Sequence, residues 1–207
     1  RIGADITTGG SILAMTTQIY NDPVILTNHA TLTDTGMDGI FFNSTVSGDG
    51  LGPWDLTATT TDPAAQIQFN DTVDLDGGLL ATAAGDIRGQ SLLSASNNIS
   101  LRSTAGDLRL SGPVNADRSG EGGESNGGGV ALIAESGMIH TYDGILDVPI
   151  TGYSDTASYD SDRGVDLPYG EGKAAIRIES GQPLILGESA SLVARGFYYG
   201  WVDLNGH

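Results

Sequence analysis

Short stretches in which apolar and polar residues alternate recur along this chain. Three of them place one polar residue between two apolar ones: Ile67-Gln68-Phe69, Leu108-Arg109-Leu110 and Ile176-Arg177-Ile178. In a β-strand, successive side chains point to opposite faces, so each apolar pair would face a core and the polar residue would face solvent. Turn signals such as Gly9-Gly10 and Asp49-Gly50 separate these stretches. No segment keeps a helical period of 3.6 residues over three turns. The pattern therefore predicts an all-β protein.

Similar motifs recur at spacings near 20 residues. The first motif is an aromatic residue, Asn, any residue, Pro or Thr, and Val; its copies begin at Tyr20, Phe42 and Phe69, with a fainter copy at Leu110. The second motif, Ala-Gly-Asp followed by Ile or Leu and then Arg, occupies residues 84–88 and 105–109. The copies lie 22, 27 and 41 residues apart in the first motif and 21 apart in the second. A longer segment, residues 23–32, is echoed at residues 183–192. Such spacing indicates a chain built from stacked similar units.

Two all-β architectures are compatible with short alternating strands. A sandwich has strands at irregular spacing without sequence echoes, whereas a β-solenoid uses one repeat per coil. The repeats favour the solenoid, a parallel β-helix with about 20 residues per coil and roughly eight to ten coils. At about 4.8 Å per coil, the body would be around 40 to 50 Å long.

Parallel coils place equivalent residues above one another, which predicts two columns of side chains. Tyr20, Phe42, Phe69 and Leu110 are expected to form an internal apolar column. The asparagines that follow the three aromatic residues are expected to form a second column at a corner: Asn21, Asn43 and Asn70. These asparagines either hydrogen-bond along the column, as in cross-β ladders, or each serve their own turn.

We expect residues 1–207 to form a single β-solenoid segment of a longer chain, because neither end of the sequence shows the polar cap that solenoids need. Two stretches break the repeat. Residues 115–129 are predicted to be a glycine-rich loop insertion, and residues 151–172, with three tyrosines and four aspartates, a longer one. Insertions in repeat proteins often carry the binding face.

Composition and charge narrow the possible partners. The chain carries 26 acidic and 9 basic residues, a net charge of −17, which would repel nucleic-acid phosphates and an anionic membrane surface. No apolar run approaches the length of a membrane span. Cysteine is absent, which excludes disulfides and thiolate metal sites. We therefore expect neither nucleic-acid binding nor membrane insertion, while the acidic balance leaves room for divalent cations.

Candidate chemistry is sparse, and we assign no catalytic or cofactor-binding residue. Asp71, Asp74 and Asp76 lie on neighbouring strand and turn positions. Asp86 and Asp107 occupy equivalent repeat positions, where stacked carboxylates would repel or hold a cation unless Arg88 and Arg109 neutralise them across coils. The weak candidates for calcium ligands come from two fragments that resemble parts of calcium loops without completing a ligand set: Asp74, Asp76, Asp160 and Asp162.

An aromatic cluster near the end of the sequence is the candidate interface. Its members are Phe197, Tyr198, Tyr199 and Trp201. Such a cluster either docks on a neighbouring protein, fills the last coil or stacks on sugars.

The repeat motifs resemble a known class of proteins. The Tyr-Asn-x-Pro-Val and Phe-Asn-x-Thr-Val units, and the two Ala-Gly-Asp-Ile/Leu-Arg units, are similar to the repeat region of filamentous-haemagglutinin-type adhesins and related giant bacterial surface proteins. The resemblance covers residues 1–115 well and residues 130–146 and 174–196 more loosely. It implies a right-handed parallel β-helix, secretion, and a location on the cell surface or in extracellular matrix.

Two functional hypotheses follow. The first is a non-enzymatic structural or adhesive module that associates with copies of itself, with neighbouring segments of the same fibre, or with surface glycans. The alternative is a polysaccharide lyase or hydrolase on a β-helix scaffold, which would need clustered carboxylates and a basic residue in an open groove.

Overall fold

The computed structural model describes residues 6–8, 17–116, 127–141, 144–154, 165–166, 173–196 and 202–206. Throughout these ranges the regular elements are β-strands, numbered β1 to β23 in chain order, and all but two of them form three parallel sheets. The chain passes from sheet 1 to sheet 2 to sheet 3 and then repeats, so that three strands and their connections make one coil.

The three sheets contain every third strand along most of the described chain. Sheet 1 consists of β2 (Thr17–Tyr20), β5 (Gly39–Phe42), β8 (Gln66–Phe69), β11 (Ile87–Gly89), β14 (Leu108–Leu110) and β17 (Ile139–His140). Sheet 2 consists of β3 (Val24–Leu26), β6 (Val46–Gly48), β9 (Val73–Leu75), β12 (Leu93–Ala95), β15 (Val114–Asn115), β18 (Pro149–Ser154) and β22 (Ser191–Gly196). Sheet 3 consists of β1 (Ile6–Thr8), β4 (Ala30–Asp34), β7 (Leu56–Thr60), β10 (Leu79–Ala83), β13 (Ile99–Ser103), β16 (Val130–Ala134), β21 (Ile176–Ser180) and β23 (Val202–Gly206). A separate antiparallel pair joins β19 (Val165–Asp166) and β20 (Lys173–Ala174).

This topology confirms the predicted all-β parallel β-helix and excludes a sandwich of antiparallel sheets. The predicted coil length holds in the middle of the chain: Ile67 pairs with Ile87, and Ile87 pairs with Leu108. Other coils are longer, since Ile40 pairs with Ile67 and Leu108 pairs with Ile139. Sheet 3 has eight strands within the described residues, which spans about 34 Å at 4.8 Å per strand. The body is shorter than expected because the longer coils use residues in their connections.

The two predicted insertions fall in the longest coils. Residues 115–129 lie largely between β15 and β16, and residues 151–172 lie largely between β18 and β21. Most of both segments, residues 117–126, 155–164 and 167–172, lies outside the described residues.

The predicted apolar column forms the part of the core behind sheet 1. The Tyr20 and Phe42 rings stack with centroids 5.0 Å apart, and the Phe42 and Phe69 rings stack at 5.2 Å. Phe69 then pairs with Gly89, and Gly89 with Leu110, so the 41-residue spacing in the sequence corresponds to two coils. Because the strands are parallel and in register, the inward residues of successive coils lie above one another, and the column therefore continues from coil to coil.

The asparagine column hydrogen-bonds along the helix axis, which decides between the two alternatives that the sequence left open. The Asn43 side-chain amide donates to Asn21 Oδ1 at 2.8 Å, and the Asn70 amide donates to Asn43 Oδ1 at 2.6 Å. At the next coil the equivalent position is Gln90, and the buried Asn70 Oδ1 accepts no hydrogen bond within the described residues. The ladder therefore ends where the asparagine repeat ends.

The longest sequence echo does not mark equivalent positions. Residues 24–26 form β3 in sheet 2 and residues 30–34 form β4 in sheet 3, whereas the last two residues of the echo, Ser191 and Leu192, begin β22 in sheet 2. Leu26 is fully buried, but its counterpart Leu186 is 43% exposed. All three sheets need the same alternation of apolar and polar residues, so an alternating segment fits any of them. Sequence similarity alone therefore cannot show which sheet a segment joins.

Candidate functional site

The outward face of sheet 1 carries the main cluster of titratable side chains, which we call the charged stack. Its members are Asp86, Arg88, Asp107, Arg109 and His140. Strand pairing places Arg88 beside Arg109 and Arg109 beside His140 on three successive coils. The two aspartates directly precede β11 and β14, so they too lie one above the other. The repeat of the Ala-Gly-Asp-Ile/Leu-Arg motif at one coil length produces this arrangement.

Each aspartate of the charged stack bonds both to its own arginine and to the next coil. Asp86 Oδ2 lies 3.1 Å from the Arg88 guanidinium, and Asp107 Oδ2 lies 3.1 Å from the Arg109 guanidinium. Asp86 Oδ1 accepts a hydrogen bond from the Asp107 backbone N–H at 3.0 Å, and Asp107 Oδ1 accepts one from the Met138 N–H at 2.9 Å. Each carboxylate therefore links its own coil to the next one by a hydrogen bond.

The environment of Asp107 favours its ionised form. Partial burial raises the pKa of Asp107, but the hydrogen bonds from Met138 N–H, Arg109 and His140 outweigh burial and lower the pKa below its ordinary value. His140 contributes through Nε2, which lies 3.5 Å from Asp107 Oδ2. The two arginines pair with the stacked carboxylates mainly within their own coils, and Arg109 also lies 3.9 Å from Asp86 of the neighbouring coil. The stack is therefore an ion-pair network that also joins the backbone hydrogen bonds of the coils.

His140 is the member of this cluster that sequence reasoning missed. In the sequence it is an isolated histidine on an expected strand, but the structure places it directly above Arg109 with a side chain only 12% exposed. A weak signal was present: Gly137-Met138-Ile139-His140 repeats the pattern Gly106-Asp107-Leu108-Arg109 with three substitutions. A nitrogen-bearing side chain thus occupies this column in a third coil.

The remaining candidate carboxylates lie apart from the charged stack. Asp71 accepts the Thr72 N–H at 2.7 Å in its own turn. Asp74 is exposed on β9 in sheet 2, beside Ser47 and Ser94 of adjacent coils, and Asp76 follows the same strand.

Calcium binding stays a prediction. Among the described residues, no three His, Asp or Glu side chains come close enough together to hold a metal ion. The candidates Asp160 and Asp162 lie outside the described residues. The interface candidates Phe197, Tyr198, Tyr199 and Trp201 also lie outside the part of the chain that the structure describes.

The fold and the ladders define the class of protein as a parallel β-helix repeat protein. A scan of family models and searches of curated proteins and of solved structures find no match to the chain. The resemblance to filamentous-haemagglutinin-type adhesins therefore rests on the sequence motifs alone. In the described ranges no helix is long and apolar enough to cross a membrane.

Proposed function

We propose that this chain is a non-enzymatic structural and adhesive module of an extracellular bacterial surface protein, fibre or matrix. The observation that carries the proposal is the continuous register of all three sheets, which stacks equivalent residues from coil to coil. A solenoid of this kind grows by adding coils, and each coil contacts only its neighbours, so the architecture is suited to extending a surface protein as a spacer.

The cross-coil bonds support a mechanical role. The asparagine ladder, the stacked aromatic rings and the aspartates of the charged stack each join one coil to the next. These contacts act along the helix axis, which is the direction in which a stalk or fibre would be pulled. They add side-chain bonds to the backbone hydrogen bonds that already run along that axis.

Location and partners are proposals of the same kind. A cysteine-free, strongly acidic repeat chain is compatible with export and with a soluble surface, and the adhesin resemblance adds the cell surface or extracellular matrix. The partners that this role implies are neighbouring segments of the same fibre, other copies of the chain, and surface glycans.

An adhesion assay tests the proposal. Beads coated with the 207-residue chain should adhere to surfaces bearing extracellular glycans or matrix, whereas beads coated with an unrelated protein of similar negative charge should not. Equal adhesion of the two bead types would contradict an adhesive role.

A turnover assay tests the enzymatic alternative. The chain is incubated with acidic polysaccharides, with and without calcium, and product formation is followed. We expect no turnover. Turnover that Asp107→Asn abolishes and Asp74→Asn, on another sheet, preserves would replace this proposal with a carbohydrate-active enzyme centred on the charged stack.

A further inference from the structure

One corner of the helix carries a second row of bonds between coils. The residue directly before each sheet 3 strand lies at this corner, and these residues lie above one another because the first residues of β4, β7, β10, β13 and β16 pair in register. We call them the corner column: His29, Asp55, Gly78, Asn98 and Gly129.

Two steps of the corner column use side-chain oxygen atoms as acceptors. The Gly78 N–H donates to Asp55 Oδ1 at 2.6 Å, and the Gly129 N–H donates to Asn98 Oδ1 at 2.8 Å. A side chain at one position thus accepts the backbone N–H of the next position along the column. Gly78 has no side chain, so it cannot offer such an acceptor to Asn98.

The first step uses an imidazole nitrogen instead of an oxygen. His29 Nδ1 lies 3.2 Å from the Asp55 backbone nitrogen, whose hydrogen points at it, and 2.9 Å from Asp55 Oδ2. One ring nitrogen therefore faces a donor and an acceptor of the same residue. An unprotonated Nδ1 accepts the N–H, whereas a protonated Nδ1 donates to the carboxylate and cannot accept. The two hydrogen bonds exclude each other, and one proton decides between them.

The His29 ring also contacts a surface loop, residues 49–54, which we call the corner loop. The His29 and Trp54 rings are perpendicular, with centroids 5.6 Å apart. Trp54 Nε1 donates to Asp49 Oδ1 at 2.8 Å, which ties the indole to the start of the loop. Leu51, within the same loop, is 84% exposed. A change at the imidazole therefore reaches the protein surface through the indole.

The charged groups around this corner are all carboxylates within the described residues. Asp55 contacts the imidazole directly, and Asp49 is bound to the neighbouring indole. The Asp76 carboxylate, from the next coil, lies beside Gly48. Asp55 is thus the charged partner that His29 meets when it gains a proton.

We infer that His29 is a pH-sensitive switch that sets the position of the corner loop. In the neutral ring Nδ1 accepts the Asp55 N–H and the proton is on Nε2. On acidification Nδ1 gains a proton and donates to Asp55 Oδ2, so the Asp55 N–H loses its acceptor and Trp54, the preceding residue, moves with it. Histidine suits this role because its ordinary change of charge falls between about pH 5 and 8.

Nuclear magnetic resonance of the isotope-labelled 207-residue chain tests the switch by titration between about pH 8 and pH 5. We expect the Asp55 amide proton to move upfield as its hydrogen bond is lost. The imidazole nitrogens of His29 and the indole N–H of Trp54 should shift along the same curve, because one proton governs all three.

Two variants separate the switch from a general effect of pH. His29→Asn gives the first step of the column the side chain that Asn98 already provides, and an amide does not titrate. The shifts of the Asp55 and Trp54 resonances should therefore be lost. His140→Asn removes a histidine from sheet 1 and is the matched control, in which both shifts should remain. Circular dichroism confirms that both variants are folded.

The opposite outcomes overturn the inference. An Asp55 amide resonance that does not move over this pH range would mean that Nδ1 keeps one role throughout. Shifts at Asp55 and Trp54 that persist in His29→Asn would mean that another group causes them. Either result would leave the proposed structural and adhesive role standing, because that role is tested by the adhesion and turnover assays.

Discussion

Replacing Phe42 by alanine removes the central ring of the internal aromatic column. Phe42 is 1% exposed and stacks on Tyr20 on one side and on Phe69 on the other. Truncation of a buried phenylalanine typically costs 3–5 kcal/mol, so we expect a loss of about 4 kcal/mol in the free energy of unfolding. Phe42→Leu keeps most of the side-chain volume but loses both ring contacts, which corresponds to about 1–3 kcal/mol.

The neighbouring Phe41 provides a matched control. Phe41 points outward on β5, beside Ile19 and Gln68 of adjacent coils, and is partly exposed. Phe41→Ala should therefore cost no more than about 1 kcal/mol, within the range of surface substitutions. Urea unfolding followed by circular dichroism measures all three variants against the unmodified chain. Equal losses for Phe41→Ala and Phe42→Ala, or a larger loss at Phe41, would refute the inward and outward assignment on which the coil depends.

Three further predictions concern the ladder, the charged stack and one turn. Gln90→Asn should add a rung that donates to the unpaired Asn70 Oδ1 and raise the free energy of unfolding by about 1 kcal/mol; an unchanged urea midpoint would argue against an extendable ladder. Folding lowers the pKa of Asp107, so its ionised form stabilises the fold above the ordinary carboxyl pKa of about 3.9, and this contribution is lost as the pH falls through the lowered value. The difference in free energy of unfolding between the native chain and Asp107→Asn should therefore be constant from about pH 7 to 5 and shrink below about pH 4. A difference independent of pH would contradict the ion-pair network. Gly39→Ala should cost about 3 kcal/mol or more of unfolding free energy, since Gly39 has φ +110° and an added Cβ would lie 2.0 Å from a backbone oxygen of the next coil. Gly50→Ala is the control: Gly50 has φ +74° with open space around it, and the change should cost about 1 to 2 kcal/mol. Similar thermal midpoints for the two variants would contradict the close approach of the coils at Gly39.

The repeated motifs allowed most of the coil architecture to be predicted. Tyr20, Phe42 and Phe69 stack as expected, because a parallel coil places residues one period apart directly above one another. The alternation of apolar and polar residues identified the buried face of the strands, because successive side chains point to opposite faces. The motif indicated that the arginines neutralise the aspartates across coils; Arg109 does lie 3.9 Å from Asp86, but the shorter contact, 3.1 Å, joins Asp86 to Arg88 of its own coil.

Features that depend on a single coil were not predictable from the repeats. Asp34 ends an alternating strand, which would place it on an inward position unsuited to a charge, yet it is fully buried and accepts the backbone N–H groups of Gly36 and Gly39. The same column holds the buried hydroxyls of Ser103 and Ser180, which accept backbone N–H groups of their own turns, so the carboxylate at this position does not follow from the repeats. The echo at residues 183–192 was misleading for a different reason. Its alternation of apolar and polar residues fits more than one sheet equally well, so the similarity does not show which sheet the segment joins.

The most direct test of the account is the distance between coils along one column of sheet 3. Strand pairing places Thr33, Ile133 and Asn205 in that column, with Ile133 four strands and Asn205 six strands from Thr33. Since the chain has no cysteine, spin labels on Thr33→Cys combined with Ile133→Cys or with Asn205→Cys report single distances by pulsed electron paramagnetic resonance. At about 4.8 Å per strand, the backbone separations are about 19 Å and 29 Å, and both distributions should be narrow. Distances that do not increase with the number of intervening strands would contradict the parallel β-helix.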